Sequence, residues 1–357
     1  MPELTVTPLA VPATADAPDA GDFRALIDLR NADVRRIRGD DEHTFPPEDA
    51  LPYWQDQTDR RIDAFLARDA GEVVASCSAE FGLEEGDDAG GVNIRVRHDR
   101  WSTGIGSQLM PMLEERIRAA DRHAVQTFTE HPESPGERIT AASGHGSVPA
   151  DHVARFLTRH GFVLEQVYRN SRLDLGGDPT PIAVLFEQAR AAAGAEYRTV
   201  SWEMPTPPEF IDDYAWMKSR MSTDAPTADV DVAEERWDAD RVRRHDAKDA
   251  AAGFRRFTTA AEHIPSGRLV AFTEIYVVRS RPAVARQNDT LVVREHRGHR
   301  LGMLVKGEAL AILREQLPEA RCIETFNAEE NRPMLDINEH MGFRPLLYAG
   351  EWQKRLS

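Results

Sequence analysis

The chain has 357 residues, with 44 Lys and Arg against 60 Asp and Glu, a formal net charge of −16, 41% hydrophobic residues and two cysteines. That length exceeds one ordinary domain, the apolar share suffices for a core in each half, and the acidic balance argues against a nucleic-acid partner, which needs a basic face. No apolar run is long enough to span a membrane, the N-terminus lacks the basic start and apolar stretch of a secretory signal, and Cys77 and Cys322 read as buried small hydrophobes, so the expected setting is a reducing cytoplasm with no disulfide and no metal site.

The first 22 residues, rich in Pro, Ala and Asp, read mostly as a mobile lead-in. Phe23, Leu26, Ile27, Val34 and Ile37 recur at helical spacing and predict a helix over 22–38. An acidic, Pro-containing loop follows, then more helix over 51–68. Strands are expected at EVVASCSAEFG and GVNIRVR, and the turn WSTGIG opens the helix SQLMPMLEERIRAA. HAVQTFTEH is a strand, DHVARFLTRHGF a helix ending at Gly161, and VLEQVYRNSRLDL the closing strand of that half. The stretch GGDPTPIAVLFEQARAAAGAEYRTV has a Gly/Pro start and an Ala-rich helical middle, and reads as the junction.

The second half repeats the order. Residues 209–219 are helical, and an acidic segment follows that is partly helical from Ala233. RLVAFTEIYVV and DTLVV are strands, REHRGHRLG is a turn, and MLVKGEALAILREQL is a helix. RCIETFNA is a strand, NRPMLDINEHMGF a helix ending at Gly342, and RPLLYAGEWQKRL the last strand. The expectation is an α+β protein of two tandem domains, each a mixed, mostly antiparallel sheet flanked by helices. The boundaries are 1–178 for a first, degenerate domain, 179–195 for a connecting helix and 196–357 for the second.

The chemically informative feature is a strand that runs into a glycine-bearing turn and then a helix, once in each half. Such a turn aims several backbone N–H groups and a helix dipole at one point, where a pyrophosphate is the natural occupant. The turn follows a meander of strands, so it is not the first βα unit of a dinucleotide fold. It also lacks the GK[ST] lysine of a nucleoside triphosphate site.

At this point the sequence resembles the GNAT acyltransferase superfamily. DTLVVREHRGHRLGMLVK at 289–306 looks like the family's strand, acyl-CoA pyrophosphate loop and helix, and TFNAEENRPMLDINEHMGF at 325–343 looks like its next strand, Asn-bearing turn, helix and closing Gly-Phe. VRHDRWSTGIGSQLM at 96–110 and HVARFLTRHGF at 152–162 look like the same blocks in the first half. The tandem layout is similar to actinobacterial two-domain GNATs, mycothiol synthase among them.

The resemblance implies an N-acetyltransferase that uses acetyl-CoA or a related acyl-CoA and transfers the acyl group directly to a primary amine. It further implies that the main chain of Leu291, Val292 and Val293 pairs with the pantetheine arm. Amides from Arg297 through Gly298, His299, Arg300, Leu301 and Gly302 to Leu304 would cradle the pyrophosphate. Asn327 and Asn331 would lie near the acyl end, with Asn331 equally readable as a helix N-cap. Gly104 and Gly106 would serve in the first half, where Trp101 replaces the usual Arg or Gln. Arg300 replaces the middle glycine of the second loop and is tolerable there if its backbone angles are ordinary. The place of the family's acidic Tyr holds Asn338 in the second half and Leu157 in the first. Glu274, with Glu324 next, is the expected base, against the plain alternative of a solvated strand residue. Glu80, Glu130 and His131 are the first-half counterparts, and His296 and His299 are loop residues open to relaying protons or to contacting phosphate or solvent.

The second half, with fuller motifs, is expected to be the catalytic one. Catalysis in the first half, or acyl-CoA binding without catalysis as a sensor or scaffold, stays open. The acceptor is a small amine; the acidic loops at 39–49 and 222–246 suit a cationic one or are ordinary charged surface. No nucleic-acid or membrane partner is expected, and the chain is expected to act as a monomer or homodimer.

Overall fold

The computed structural model describes residues 3–224 and 228–356. These form two compact units that are not contiguous in sequence. The first comprises 3–167, 228–233 and 348–356, and the second comprises 168–224 and 234–347.

The first unit begins with β1 (Leu4–Pro8), α1 (Gly21–Arg38), α2 (Pro47–Gln55), β2 (Arg60–Asp69), β3 (Glu72–Gly82) and β4 (Ala89–Val96). It continues through α3 (Ile105–Ala119), β5 (Ala124–His131), a small hairpin of β6 (Arg138–Thr140) and β7 (Ser147–Pro149), α4 (His152–Arg159) and the start of β8 (Val163–Asp174). Its sheet runs β1-β2-β3-β4-β5 and is extended by the chain's last strand, β14 (Arg344–Arg355), which pairs antiparallel with β5 from Tyr348↔His131 to Arg355↔Ala124. Alternation along β2 and β3 divides the side chains between two layers. Ala64 and Leu66 pack with Phe23, Leu26 and Ile27 of α1, while Phe65, Ala67, Ala75 and Cys77 pack with Leu109, Leu113 and Ile117 of α3.

The remaining elements are α5 (Thr180–Ala193), β9 (Tyr197–Glu203), α6 (Ile211–Asp224), α7 (Ala239–Ala251), β10 (Phe254–His263), β11 (Arg268–Val278), β12 (Arg281–Val292), α8 (Leu301–Gln316), β13 (Cys322–Ala328) and α9 (Arg332–Met341). In the second unit the sheet order is β9-β10-β11-β12-β13, extended by the second half of β8, which pairs antiparallel with β13 from Tyr168↔Ala328 to Asp174↔Cys322. Ala271, Ile275 and Ala285 face Leu301, Val305 and Leu310 of α8. Phe272, Leu291 and Val293 face Tyr214 and Met217 of α6 and Val242 of α7.

The α+β class and the tandem layout stand. Besides shifted helix ends in the second half and the strand β10, which the sequence reading did not assign, three details differ. Residues 60–69 form a strand rather than helix, because Ile62, Ala64 and Leu66 serve one face and Phe65 and Ala67 the other, and a strand apolar on both faces carries no period of two. Within the lead-in, Leu4–Pro8 is a strand paired with β2. The strand after α4 does not simply close its own half. Instead each unit takes the strand that follows the other half's last helix, so the compact units differ from a linear division at residue 178.

Candidate functional site

Both units contain a fork. In the first, β4 and β5 run parallel but pair only at Ala89↔Ala124, Gly90↔Val125 and Gly91↔Gln126. In the second, β12 and β13 are parallel and pair from Val284↔Cys322 to Gln287↔Thr325. Beyond those rungs the strands part. The edges of 92–96 and 288–292 that face the forks then have no strand partner among the described residues. Such an edge is a ready template for an extended, amide-bearing chain.

Each fork opens toward a loop that leads into a helix. In the first unit Gly104 takes φ +89 and caps α3. A side chain on Gly106 would lie 3.1 Å from the Phe156 ring. In the second unit Arg300 caps α8 with φ 56 and ψ 24. The ordinary angles that would make Arg300 an easy substitute for glycine are therefore not what it has. It sits in the left-handed region, the same conformation as Gly104, at some backbone cost. The amides of the first turn of either helix have no intrahelical acceptor and point outward with the positive end of the dipole.

The residue three before each cap ties the loop to the strand end in the same way. Trp101 Nε1 donates to the Val96 carbonyl at 2.9 Å, and Arg297 Nε donates to the Val292 carbonyl at 3.2 Å. The Trp101 ring is also stacked on His152 at 4.3 Å and covered by the Arg36 guanidinium at 4.7 Å. Tryptophan thus does the stapling of an Arg by its indole N–H while its ring packs.

The loops differ in charge. Around the first, Arg97 is paired with Asp99 and Arg100 with Asp69. Around the second, Arg294 and Arg300 are exposed and make no ion pair among the described residues. Gly298 and His299 are exposed beside them. His296 Nδ1 lies 2.9 Å from the Tyr197 hydroxyl, and its imidazole is held below the usual histidine range by desolvation and by the neighbouring His263 and His299.

Among the residues expected to act as acids and bases, Glu274 is fully buried on β11. It accepts from the Tyr214 hydroxyl, lies 3.4 Å from the Tyr276 hydroxyl and 3.5 Å from Lys218 Nζ. Lys218 in turn is paired with Asp289. Burial works against the lysine's charge, but Asp289 and Glu274 outweigh it and hold the ammonium charged well above the usual lysine range. Glu324 is buried and paired with Arg172, whose Nε is 2.9 Å away. Neither carboxylate is a solvated strand residue, and both are committed to cations. Asp289 is the member of the Lys218 network that reaches solvent, with a side chain 28% exposed. The sequence reading passed over it, although it opens DTLVV. The missing signal is an irregularity in pairing: Thr273↔Thr290 is followed by Ile275↔Gln287, which places Asn288 and Asp289 in a bulge at the mouth of the fork.

Asn338 is buried on α9. Its Nδ2 donates to Asn327 Oδ1 at 2.6 Å, and its Oδ1 accepts from Lys306 Nζ at 3.0 Å. Lys306 also donates to Gln287 Oε1 at 2.7 Å. These residues therefore assemble around a lysine that the motif reading counted only as part of a helix. Asn331 precedes α9, but its side chain makes no capping bond. In the first unit, Glu80 pairs with Arg60 and Glu130 with Arg38. His131 is buried between Asp151 at 2.9 Å and Thr129 at 2.8 Å. The register places Ser78, not Glu80, level with Glu274: counting from the strand-end carbonyls, Ala75↔Val96 matches Ala271↔Val292.

Cys77 and Cys322 are both buried and free, and burial pushes the Cys77 thiol up to about 12. Among the described residues no group of three or more His, Cys, Asp or Glu is placed to hold a metal ion, and no helix is long and apolar enough to cross a membrane.

Residues 27–135 match the model of the acetyltransferase (GNAT) family. No curated protein matches the chain. Among solved structures, a tandem GNAT protein from the clavulanic acid biosynthesis pathway is 24% identical, with a TM-score of 0.77 over 99% of this chain and 98% of that one. A GCN5-related N-acetyltransferase from Sphaerobacter thermophilus is 15% identical, with a TM-score of 0.63 over 99% and 95%. Residues 27–135 are thus similar to the GNAT acetyltransferase family, and the chain as a whole has the tandem GNAT fold.

Proposed function

We propose that the chain is an N-acyltransferase that moves an acetyl group from acetyl-CoA, or a related acyl-CoA, directly to the primary amine of a small molecule, with the second unit as the catalytic one. The observation that carries this reading is the fork of β12 and β13 opening onto the amides of α8 beside two unpaired arginines. The diphosphate fits the first-turn amides of 301–303 with Arg294 and Arg300 near it. The free edge of 288–292 fits the amide-bearing arm. A backbone N–H at or beside Val292 would meet the thioester oxygen, a role in which preorganised donors contribute most. The thioester supplies the activated acyl carbon; the protein's part is to hold the two reactants together and move protons.

Asp289 takes the amine's proton in this reading, because it is the carboxylate of the Lys218 network that solvent reaches. Glu274 acts behind it by fixing Lys218. The two carboxylates exceed the one ammonium, which favours a cationic acceptor at this face.

A second reading places the thioester in the first unit. The family match over residues 27–135 and the relaxed glycine cap at Gly104 favour it. Calorimetric titration with acetyl-CoA separates the two. The exposed loop positions allow Arg300→Asp and Ser102→Asp, each of which sets a carboxylate against the diphosphate without touching a core. Loss of binding in Arg300→Asp alone supports the second unit, and loss in Ser102→Asp alone moves the site to the first. No binding by the unaltered protein removes the function altogether.

A further inference from the structure

At the apex of the second fork lies a polar chain that the fold does not require. Lys306, 1% exposed on α8, donates to Gln287 on β12 and to Asn338 on α9, and Asn338 donates to Asn327 on β13. Gln287 is the last residue at which β12 pairs with β13, so the ammonium sits where the strands part. An ammonium has three donors, and only two are used among the described residues. Opposite Gln287 on β13, the buried hydroxyl of Thr325 has no hydrogen-bond partner among them.

The first unit shows that the same frame closes without any of this. Lys306 stands four residues after Gly302, and Met110 stands four after Gly106; Asn338 stands four before Gly342, and Leu157 four before Gly161. Met110 and Leu157 are ordinary core residues. Burying an ammonium without a carboxylate is costly, so a fold that manages with methionine and leucine has no structural use for it.

The charged groups of the neighbouring elements do not compensate it. Glu274 on β11 and Asp289 on β12 are turned to Lys218, and Glu324 on β13 is held by Arg172. From β11, Ala271, Thr273 and Ile275 lie on the α8 side, and the Phe343 ring lies 6.0 Å from the amine. Desolvation alone therefore sets its proton affinity and brings it down to about 7.

We propose that Lys306 is the proton donor to the departing coenzyme A sulfur in the second unit, in the role for which the α9 position offers only Asn338. The step balances as follows. The acceptor nitrogen, deprotonated by Asp289, bonds to the acyl carbon. The carbon–sulfur bond breaks with its electron pair on sulfur, and one N–H proton of Lys306 passes to that sulfur. Lys306 is left as the neutral amine and regains a proton from solvent. A donor titrating near neutral pH is matched to a thiolate, and proton donation of this kind contributes about 10²–10⁴-fold.

This inference rests on the acyltransferase reading above, and its test keeps the two apart. Lys306→Met installs the residue that the first unit carries at the equivalent position, so the variant should fold, and Lys306→Arg keeps the charge. Transfer to an amine panel is measured from pH 6 to 9, and affinities for CoA and desulfo-CoA are measured by calorimetry. The expected results are a kcat lowered by about 10²-fold or more in Lys306→Met, and a basic limb near pH 7 in the unaltered protein that is absent from the methionine variant. A preference for CoA over desulfo-CoA should vanish with the ammonium. If the unaltered protein binds CoA but transfers to no amine, the acyltransferase reading falls, and this inference with it. If the unaltered protein is active and Lys306→Met keeps its kcat, its basic limb and the CoA preference, only the lysine's role is overturned. A lower kcat with the limb retained overturns it as well, since that is the mark of a purely structural effect.

Discussion

Substituting Lys218 by Met probes the buried charges on the α6 side of the second unit. Lys218 is 8% exposed and stands between Asp289 and the fully buried Glu274. Removing it strands two carboxylates, one of them out of reach of water. Breaking a buried pair by deleting one partner costs about 3–5 kcal/mol, a large part of the roughly 5–15 kcal/mol that holds a domain together. At about 2–4 °C per kcal/mol for a domain of this size, the transition of the second unit should fall by roughly 6–20 °C. Differential scanning calorimetry at pH 7.5 reads the effect. Lys218→Met/Glu274→Gln should recover much of the loss, because the stranded charge is gone. A single variant that melts within about 1 °C of the parent, or a double variant no better than the single, would refute the account of Lys218 as the cation that makes Glu274 tolerable.

Lys306 gives a pH signature of its own. Its folded pKa of about 7 lies below the unfolded value, so the unfolded chain binds more protons between pH 7 and about 10.4; stability should climb through that window by a few kcal/mol. Lys306→Met should flatten the climb in urea melts and be more stable at pH 7. In the first unit, desolvation pushes the Glu351 carboxyl up to about 7, so its contribution is full below about 4.3 and is lost as pH rises through 7; Glu351→Gln should remove that slope. Asp151 caps α4 by accepting from Ala154 and also holds His131; burial raises its carboxyl, but His131 and the amides outweigh this and keep it below the usual range. Asp151→Ala should cost about 2–3 kcal/mol by the lost cap and the orphaned histidine, and Asp151→Asn less, as read by chemical denaturation. Gly307→Ala sets a methyl 2.6 Å from the Phe186 ring where α5 meets α8, and should cost about 1–3 kcal/mol, visible as a lower melting temperature.

The parts of the fold written in local pattern were legible in the sequence. The helix at α1 follows from Phe23, Leu26 and Ile27, β3 matches EVVASCSAEFG, and both Gly-Phe helix ends fall at Gly161 and Gly342. What escaped depends on pairing between distant segments. Residues 60–69 are apolar on both faces, so their period could not distinguish strand from helix. The exchange of β8 and β14 is set by register with β13 and β5, and no local feature of either strand announces it.

The site divides along the same line. The loop at 297–302 and the places of Asn327 and Asn338 were implied by the resemblance to the GNAT family. The burial of Glu274 did not, because its partners Tyr214 and Lys218 come from a helix some sixty residues earlier in the sequence. Lys306 was read only as part of a helix, and only packing shows that it points inward. Arg300 carried the opposite lesson: a position that usually takes glycine keeps its left-handed angle even when the side chain is large.

Hydrogen exchange with and without acetyl-CoA tests the central claim most directly. The account predicts slowed exchange at the amides of 301–303 and along 288–293, the two surfaces that meet at the mouth of the second fork. Unchanged exchange at both under saturating thioester would contradict it, and protection confined to 105–107 and 92–96 would transfer the grip to the first unit.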